Sequence, residues 1–237
     1  MQRYFAIAVN EDKVLLSKDD EHHILHVMRN KVGDEFEIVD QQKAYLARLD
    51  SANPFLVSII HEIDNDSEIN EDVTLLFALT KGEKTDLVIQ KATELGVRKI
   101  ALIESERTVV SFANKDIEKK TQRYEKIIKE ASEQCHRLRL PIFLGVFNLK
   151  NLPKEVYSDL NYVAYEKDAG DTSLSFSQIE KGKSVTILVG PEGGFSSKEI
   201  EQLVQKGFIR TSLGKRILRA ETAAIYALSV IGYLLER

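Results

Sequence analysis

Two different patterns of apolar and polar positions follow one another along the chain. Over residues 1–63, apolar and β-branched residues occur in short runs between polar turns, which is typical of small antiparallel strands. Residues 64–72 then contain five acidic side chains and a single apolar one, as a linker would. We therefore predict a domain boundary here, with residues 1–70 forming one domain and residues 71–237 the other.

The first region reads as a small β-barrel-like domain. We predict one helix over residues 19–30, and strands over residues 4–9, 35–39, 45–49 and 56–60.

Beyond residue 72 the pattern changes to strands that alternate with helices. This alternation predicts an α/β domain in which helices cover both faces of a parallel sheet. The predicted helices are residues 85–95, 115–136, 197–205 and 220–235. The predicted strands are residues 73–79, 100–103, 162–165, 185–189 and 211–213, with a further extended stretch after Pro141.

The last predicted helix is apolar nearly all round, although a helix that covers one sheet needs only one apolar stripe. A second buried face is therefore expected. Its source is either a homodimer interface or burial within the monomer beneath the N-terminal domain.

Composition narrows the class of protein. The 237 residues, 43% of them hydrophobic, can bury a core, and neither a signal peptide nor an apolar run of bilayer length is present, so we expect a cytoplasmic protein outside the membrane. The single cysteine, Cys135, is expected to be a helix-face thiol. His22 and His26 could share a helix face, but no third ligand is apparent, so no metal site is predicted.

Net charge at first argues against a nucleic-acid partner, because the chain carries −4 in total. The charge is distributed unevenly along the chain, because residues 73–237 contain 26 Lys and Arg against 21 Asp and Glu. This local basic excess permits an RNA-binding face in the C-terminal region.

Two glycine-containing loops carry the candidate chemistry. Residues 190–196 follow a buried strand and match neither the dinucleotide-binding nor the P-loop spacing, which leaves ligand binding or a plain turn. Residues 213–219 follow the next predicted strand, so both loops could border one pocket. Ile217 and Leu218 could pack on a flat heterocycle or fill the core beneath the last helix.

Taken together, these loops resemble the signature of the 16S ribosomal RNA (uracil-N3) methyltransferases of the SPOUT superfamily. Three departures are conservative: Met28, Ala220 and Cys135 stand where leucine, threonine and serine or threonine are usual. Further motifs of that family match in order over almost the whole chain: residues 3–5, 22–23, 27–29, 31–34, 81–84, 90–96, 105–107, 130–134 and Pro141.

The resemblance implies a PUA-like RNA-binding barrel followed by an α/β domain with a trefoil knot, in which two subunits complete each active site. It also implies S-adenosylmethionine (SAM) as cofactor and a uridine of 16S ribosomal RNA, in the small ribosomal subunit, as substrate. The cofactor-binding residues would be Leu188, Val189, Gly190, Pro191, Glu192, Gly193, Gly194, Leu213, Gly214, Ile217, Leu218 and Arg219.

Methylation of a uridine N3 requires loss of its proton and leaves negative charge on the ring. Arg219 is the candidate to stabilise that charge. Glu192 and Glu221 are candidates to accept the proton, or else to hold a loop or a helix start. Phosphate contacts are expected from basic residues within the motifs, although Arg137 could instead pair with Glu133; these residues are Arg3, Arg29, Lys81, Lys84, Arg107 and Arg137.

Two other functions remain open. One is a different SPOUT reaction, such as ribose 2′-O or guanine-N1 methylation. The other is an RNA-binding ribosome-assembly factor that has the fold without catalysis.

Overall fold

The computed structural model describes residues 1–80, 83–108, 114–168 and 176–237, with side chains from residue 117 onward in the helix that begins at Asn114. The chain forms two compact units. The first contains Met1–Glu68 together with Ser132–Arg139, and the second contains Ile69–Ala131 together with Leu140–Arg237.

The first unit is built on a six-stranded sheet with the order β1-β4-β5-β6-β3-β2. All neighbouring strands are antiparallel except β1 and β4. The core beneath this sheet contains Tyr4, Ile24 and Phe36. The strands are β1 Arg3–Phe5, β2 Ala8–Asn10, β3 Lys13–Leu15, β4 Glu35–Asp40, β5 Lys43–Ala52 and β6 Phe55–Ile63.

The prediction of one strand over residues 4–9 is wrong, because the chain changes partners within it. The Ala6 amide donates to the Val39 carbonyl at 2.9 Å, whereas the Ile7 amide donates to the Leu15 carbonyl at 2.9 Å. Runs of three residues are too short to leave a clear periodicity in the sequence.

The helix predicted over residues 19–30 is shorter and changes character. Helix α1, Lys18–His22, begins at Ser17, whose side chain accepts a hydrogen bond from the Asp20 amide. It continues as a π-helix over His23–Val27, and Arg29 then adopts a left-handed backbone with φ of 59°.

Two arginines that were predicted to contact RNA are buried in the first unit. Arg3 is 1% exposed and pairs with Glu37, and its guanidinium also donates to the His136 carbonyl. Arg137 is 2% exposed and pairs with Glu68 at 2.7 Å. Both guanidiniums are enclosed by protein partners, so we correct their assignment from phosphate contacts to structural ion pairs.

The second unit contains a six-stranded, fully parallel sheet with the order β12-β10-β11-β7-β8-β9, which confirms the predicted α/β class. Its strands are β7 Val73–Ala78, β8 Lys99–Glu104, β9 Ile142–Asn148, β10 Leu160–Ala164, β11 Val185–Val189 and β12 Ile209–Thr211. Its helices are α2 Lys84–Glu94, α3 Asn114–Gln134, α4 Ser197–Gln205 and α5 Ala220–Glu236.

Helices cover both faces of this sheet. Leu75 and Phe77 of β7 belong to a core cluster with α2, α3 and α5, while Leu76 between them faces a second cluster with α4. The alternation of strand side chains explains why the strands are apolar at every position.

Helix α5 buries one face against α2 and β11 and leaves a stripe at helical spacing exposed. That stripe consists of Thr222, Tyr226, Ser229 and Tyr233, so within one chain the second face expected for this helix is uncovered. Among the residues that the structure describes, no helix has the length and apolar character to cross a membrane.

Candidate active site

A cavity of about 510 Å³ lies at the carboxyl ends of β10, β11 and β12, which are neighbours in the parallel sheet. Ligands commonly bind at this edge of α/β sheets, because the loops that leave adjacent strands converge there. The lining residues are Lys84, Ala164–Glu166, Val189–Gly194, Leu213, Gly214, Arg216–Ala220 and Ala223.

The loop of residues 190–196, between β11 and α4, is closely packed. The ring of Phe195 is fully buried and lies so close to Gly190 that an added Cβ would be 2.9 Å from it. Gly194 has a left-handed backbone with φ of 63°, and its amide donates to the Pro191 carbonyl at 2.8 Å. Glycine is therefore needed at Gly190 for close approach and at Gly194 for backbone conformation as well.

A neighbouring loop braces this one from the end of β8. Arg107 donates from Nη1 to the Gly193 carbonyl at 2.8 Å. The carboxylate of Glu199, which is 3% exposed, accepts hydrogen bonds from the amides of Ser196 and Glu106 at 2.8 and 2.9 Å. The hydroxyl of Ser196 also caps helix α4 in a reciprocal capping box. These bonds hold the backbone of the loop in one conformation.

Lys84, in the first turn of α2, joins two walls of the cavity. Its Nζ makes a short hydrogen bond to Glu192 and lies 3.6 Å from Glu221 Oε1. The hydrogen bond to Glu192 raises the pKa of Lys84 above its ordinary value, with a smaller contribution from the charge of Glu221. The other carboxylate oxygen of Glu221 is buried and has no hydrogen-bond partner among the described residues. The Glu221 carboxylate therefore keeps an unused acceptor beside the cavity.

The loop of residues 213–219, between β12 and α5, is more open. Ile217 is 78% exposed, and Arg216 and Arg219 line the cavity without an ion pair to any residue in the described ranges. Arg219 is the N-cap residue of α5, but its side chain makes no capping hydrogen bond. Its guanidinium is therefore available to a ligand.

The predicted cofactor residues lie together with one exception. Eleven of them line the cavity, and the exception is Leu188, whose side chain is fully buried in the core cluster that faces α4. Glu221 does not line the cavity and contacts it through Lys84.

The remaining candidates for RNA contact lie in different places. Arg29 is exposed on the first unit, whereas Lys84 and Arg107 contact the loop of residues 190–196. Lys81 lies outside the described residues. Within the described ranges, no group of three or more His, Cys, Asp or Glu side chains could hold a metal ion.

Sequence reasoning missed the third wall of the cavity, which follows β10. Ala164, Tyr165 and Glu166 line it, and none of these three residues is a glycine that would suggest ligand binding. The position of β10 between β11 and β12 brings the loop to the site. The remaining signal was the rule that neighbouring parallel strands present their carboxyl ends at one edge.

Comparisons with known proteins agree with this geometry. Residues 67–232 match the model of an RNA methyltransferase domain, and residues 16–60 match an RNA methyltransferase PUA domain. A relative from Bacillus subtilis (strain 168), Ribosomal RNA small subunit methyltransferase E, is 35% identical over 100% of this chain and 98% of its own length. This chain belongs to the ribosomal RNA small subunit methyltransferase E family.

Other members of the methyltransferase E family are similar over comparable lengths. The protein of that name from Mesomycoplasma hyopneumoniae (strain 232) is 33% identical over 97% of this chain and 98% of its own length.

Two solved structures carry a cofactor. The methyltransferase E of Neisseria gonorrhoeae bound to S-adenosyl methionine has a TM-score of 0.85 and 28% identity, covering 99% of this chain and 98% of its own. A methyltransferase of Legionella pneumophila in complex with SAM has a TM-score of 0.87 and 29% identity, covering 98% and 96%.

Proposed function

We propose that this chain methylates N3 of a uridine in 16S ribosomal RNA, using SAM, within the small ribosomal subunit in the cytoplasm. The observation that carries the proposal is a cavity at the ends of three adjacent parallel strands, bordered by a glycine-rich loop and by two arginines without an ion pair in the described part of the chain. Membership of the methyltransferase E family supports the reaction class and the RNA substrate.

The cavity suits SAM in size and chemistry. Its volume of about 510 Å³ lies within the range of small-molecule sites, roughly 300–1,000 Å³. Backbone groups of Gly190, Gly193 and Gly194 line the cavity, and Leu213, Ile217 and Leu218 offer apolar surface to an adenine ring. When bound, SAM supplies an activated methyl group for an in-line displacement.

The residues of the chain then have three tasks. The loops hold the reactants at attack distance and exclude water. Arg219, whose guanidinium lines the cavity without an ion pair to any described residue, stabilises the negative charge that develops on the uracil ring. Two carboxylates are candidates to accept the N3 proton: Glu192, which lines the cavity, and Glu221, which has a buried oxygen without a partner among the described residues.

The two regions divide the work in this proposal. Residues 1–70 form a PUA-like domain that binds RNA, and exposed Arg29 is one of its contacts. Residues 71–237 form the knotted methyltransferase domain. Lys84 and Arg107 contact RNA next to the cavity, in addition to the contacts that they make with the loop of residues 190–196.

The exposed stripe on α5 supports a homodimer. Tyr226 is 44% exposed and Tyr233 is 63% exposed, and large aromatic side chains are enriched at protein interfaces. Ile217, at 78% exposure, belongs to the cavity loop that precedes the same helix. A second subunit that covers α5 would therefore also bear on the active site.

The direct test uses small subunits from cells that lack the gene. Purified protein and methyl-labelled SAM are added, and the modified nucleosides are identified by mass spectrometry. We expect labelled 3-methyluridine from assembled subunits. Label in a 2′-O-methylated ribose or in 1-methylguanosine would replace this function with another SPOUT reaction, and SAM binding without transfer to RNA would indicate a non-catalytic protein.

A further inference from the structure

Glu166 differs from the other two acidic side chains at the cavity. Glu192 and Glu221 both interact with Lys84, whereas Glu166 has no hydrogen bond or ion pair with any residue that the structure describes. It lies in the turn Glu166–Asp168 directly after β10 and is half-buried. A carboxylate that faces a cavity and has no partner among the described residues can bind a cationic group of a ligand.

The carboxylate of Glu166 packs directly against the backbone of Gly194. A Cβ built on Gly194 would lie 2.7 Å from Glu166 Cδ, so the glycine allows the carboxylate to rest against the loop. Arg107 and Glu199 hold that loop through hydrogen bonds, so Glu166 packs against a well-supported backbone.

The charges that line the cavity are separated. Glu166 lies on the wall formed after β10, and Arg216, which has no ion pair with any described residue, lies on the wall formed after β12. A ligand that carries positive charge in one part and negative charge in another would match this arrangement. SAM has that character, because it combines a sulfonium and an ammonium group with a carboxylate.

We infer that Glu166 is a specificity-determining residue that binds the positive charge of the methyl donor. This inference rests on the proposed function and adds to it a residue that recognises the charge of SAM.

The test measures binding by calorimetric titration of three ligands to the wild type and to Glu166→Gln. SAM carries both cationic groups, S-adenosylhomocysteine keeps only the ammonium, and 5′-methylthioadenosine has neither. We expect Glu166→Gln to weaken SAM binding roughly tenfold, as for the loss of a partly exposed charge-assisted hydrogen bond, and to leave binding of 5′-methylthioadenosine unchanged.

Two variants complete the experiment. Glu166→Asp keeps the charge and should recover part of the affinity for SAM. Glu201→Gln, which removes an exposed carboxylate from α4 outside the cavity, should bind all three ligands as the wild type does.

The three ligands also identify the group that is bound. Weaker binding of both SAM and S-adenosylhomocysteine assigns Glu166 to the ammonium, and weaker binding of SAM alone assigns it to the sulfonium. Equal losses for all three ligands would mean that Glu166 only supports the loop, and no loss for any of them would remove its role; either result overturns the inference.

The outcome is separable from that of the proposed function. If wild-type protein binds SAM but forms no 3-methyluridine, the proposed reaction fails while the binding comparison still stands. If the wild type methylates the subunit and Glu166→Gln binds SAM normally, only the inference about Glu166 fails.

Discussion

The two glycine-containing loops of the cavity differ in how firmly the protein holds them. Residues 190–196 are fixed by the buried Phe195 ring, by the bond from Arg107 to Gly193 and by the two amides that Glu199 accepts. Residues 213–219 include an isoleucine that is 78% exposed and two arginines that form no ion pair with a residue of the described ranges.

This difference indicates a division of roles. A braced loop provides a preformed surface at little ordering cost when a ligand binds, whereas an open loop still has conformational entropy to lose. We therefore assign the ligand-shaped wall to residues 190–196. The loop of residues 213–219 would take its final form through ligand, RNA or a second subunit.

Substitution of Arg219 should have the largest effect. Arg219→Ala removes the unpaired guanidinium of the open loop, and we expect kcat to fall about 10²–10³-fold with little change in the Kd of SAM. Methyl transfer to small subunits under saturating SAM measures this. Lys215→Ala is the control, because it removes an exposed cation of the same loop that does not line the cavity. An equal loss for Lys215→Ala would show that net charge, and not Arg219 itself, matters.

An added methyl group at Gly194 tests the braced loop. Gly194→Ala should weaken SAM binding by roughly tenfold or more, because the new Cβ collides with Glu166 and the backbone is left-handed. Gly207→Ala is the matched control, with φ of 91° and no atom within 4 Å of the added Cβ. Both variants should lose about 1 kcal/mol of folding stability in urea unfolding. If calorimetry finds wild-type SAM affinity for Gly194→Ala, this loop is not the preformed wall.

Disruption of the exposed α5 stripe tests the open loop. The double variant Tyr226→Glu, Tyr233→Glu should sediment as a monomer and bind SAM about two- to tenfold more weakly, because the loop would lose the neighbour that orders it. Val204→Glu, at a 48% exposed position of α4, should sediment as the wild type does. A wild-type protein that sediments as a monomer would contradict the homodimer.

Substitution of Lys84, which contacts Glu192 and Glu221, should have the smallest effect, and this effect should depend on pH. Because the pKa of Lys84 is raised in the folded protein, its contribution to stability is complete below the ordinary lysine value of 10.5 and is lost as the pH rises through the higher folded value. Wild type and Lys84→Gln should therefore differ in Tm at pH 7–10 and converge above that range. A difference that persists undiminished at higher pH would show that the Lys84 charge is not involved.

Much of the second unit could be predicted from sequence. Helix α4 has the predicted bounds of residues 197–205 because Ser196 and Glu199 form a recognisable capping box. Strand β11 also matches, since its continuous apolar run reflects burial on both faces of a parallel sheet.

The first unit was less predictable for physical reasons. Strands of three residues, such as β2 and β3, are too short to show a periodicity in the sequence, and a π-helix has a hydrogen-bond pattern that apolar periodicity does not reveal. Arg3 and Arg137 appear from sequence to be surface cations, because their carboxylate partners, Glu37 and Glu68, lie 34 and 69 positions away.

The candidate site, too, could be predicted only in part. The two glycine-containing loops could be predicted, because glycines at the ends of strands are visible in the sequence. Glu166 instead lies in an ordinary turn, and only the order of strands in the sheet brings this turn to the site. Leu188 was misplaced by proximity in sequence, since alternate side chains of a strand point to opposite faces.

The partners of Glu68 bear on how this protein could be divided or recombined. Its carboxylate accepts the main-chain amides of Leu138 and Arg139 and pairs with Arg137, so the N-terminal unit is completed by a stretch that the ribosome synthesises only after much of the second unit. A gene fragment that stops near residue 70 would leave Glu68 without Arg137 and Arg3 without the His136 carbonyl, although Arg3 would keep Glu37. A chimaera joined at a single point there would likewise separate this unit from residues 132–139.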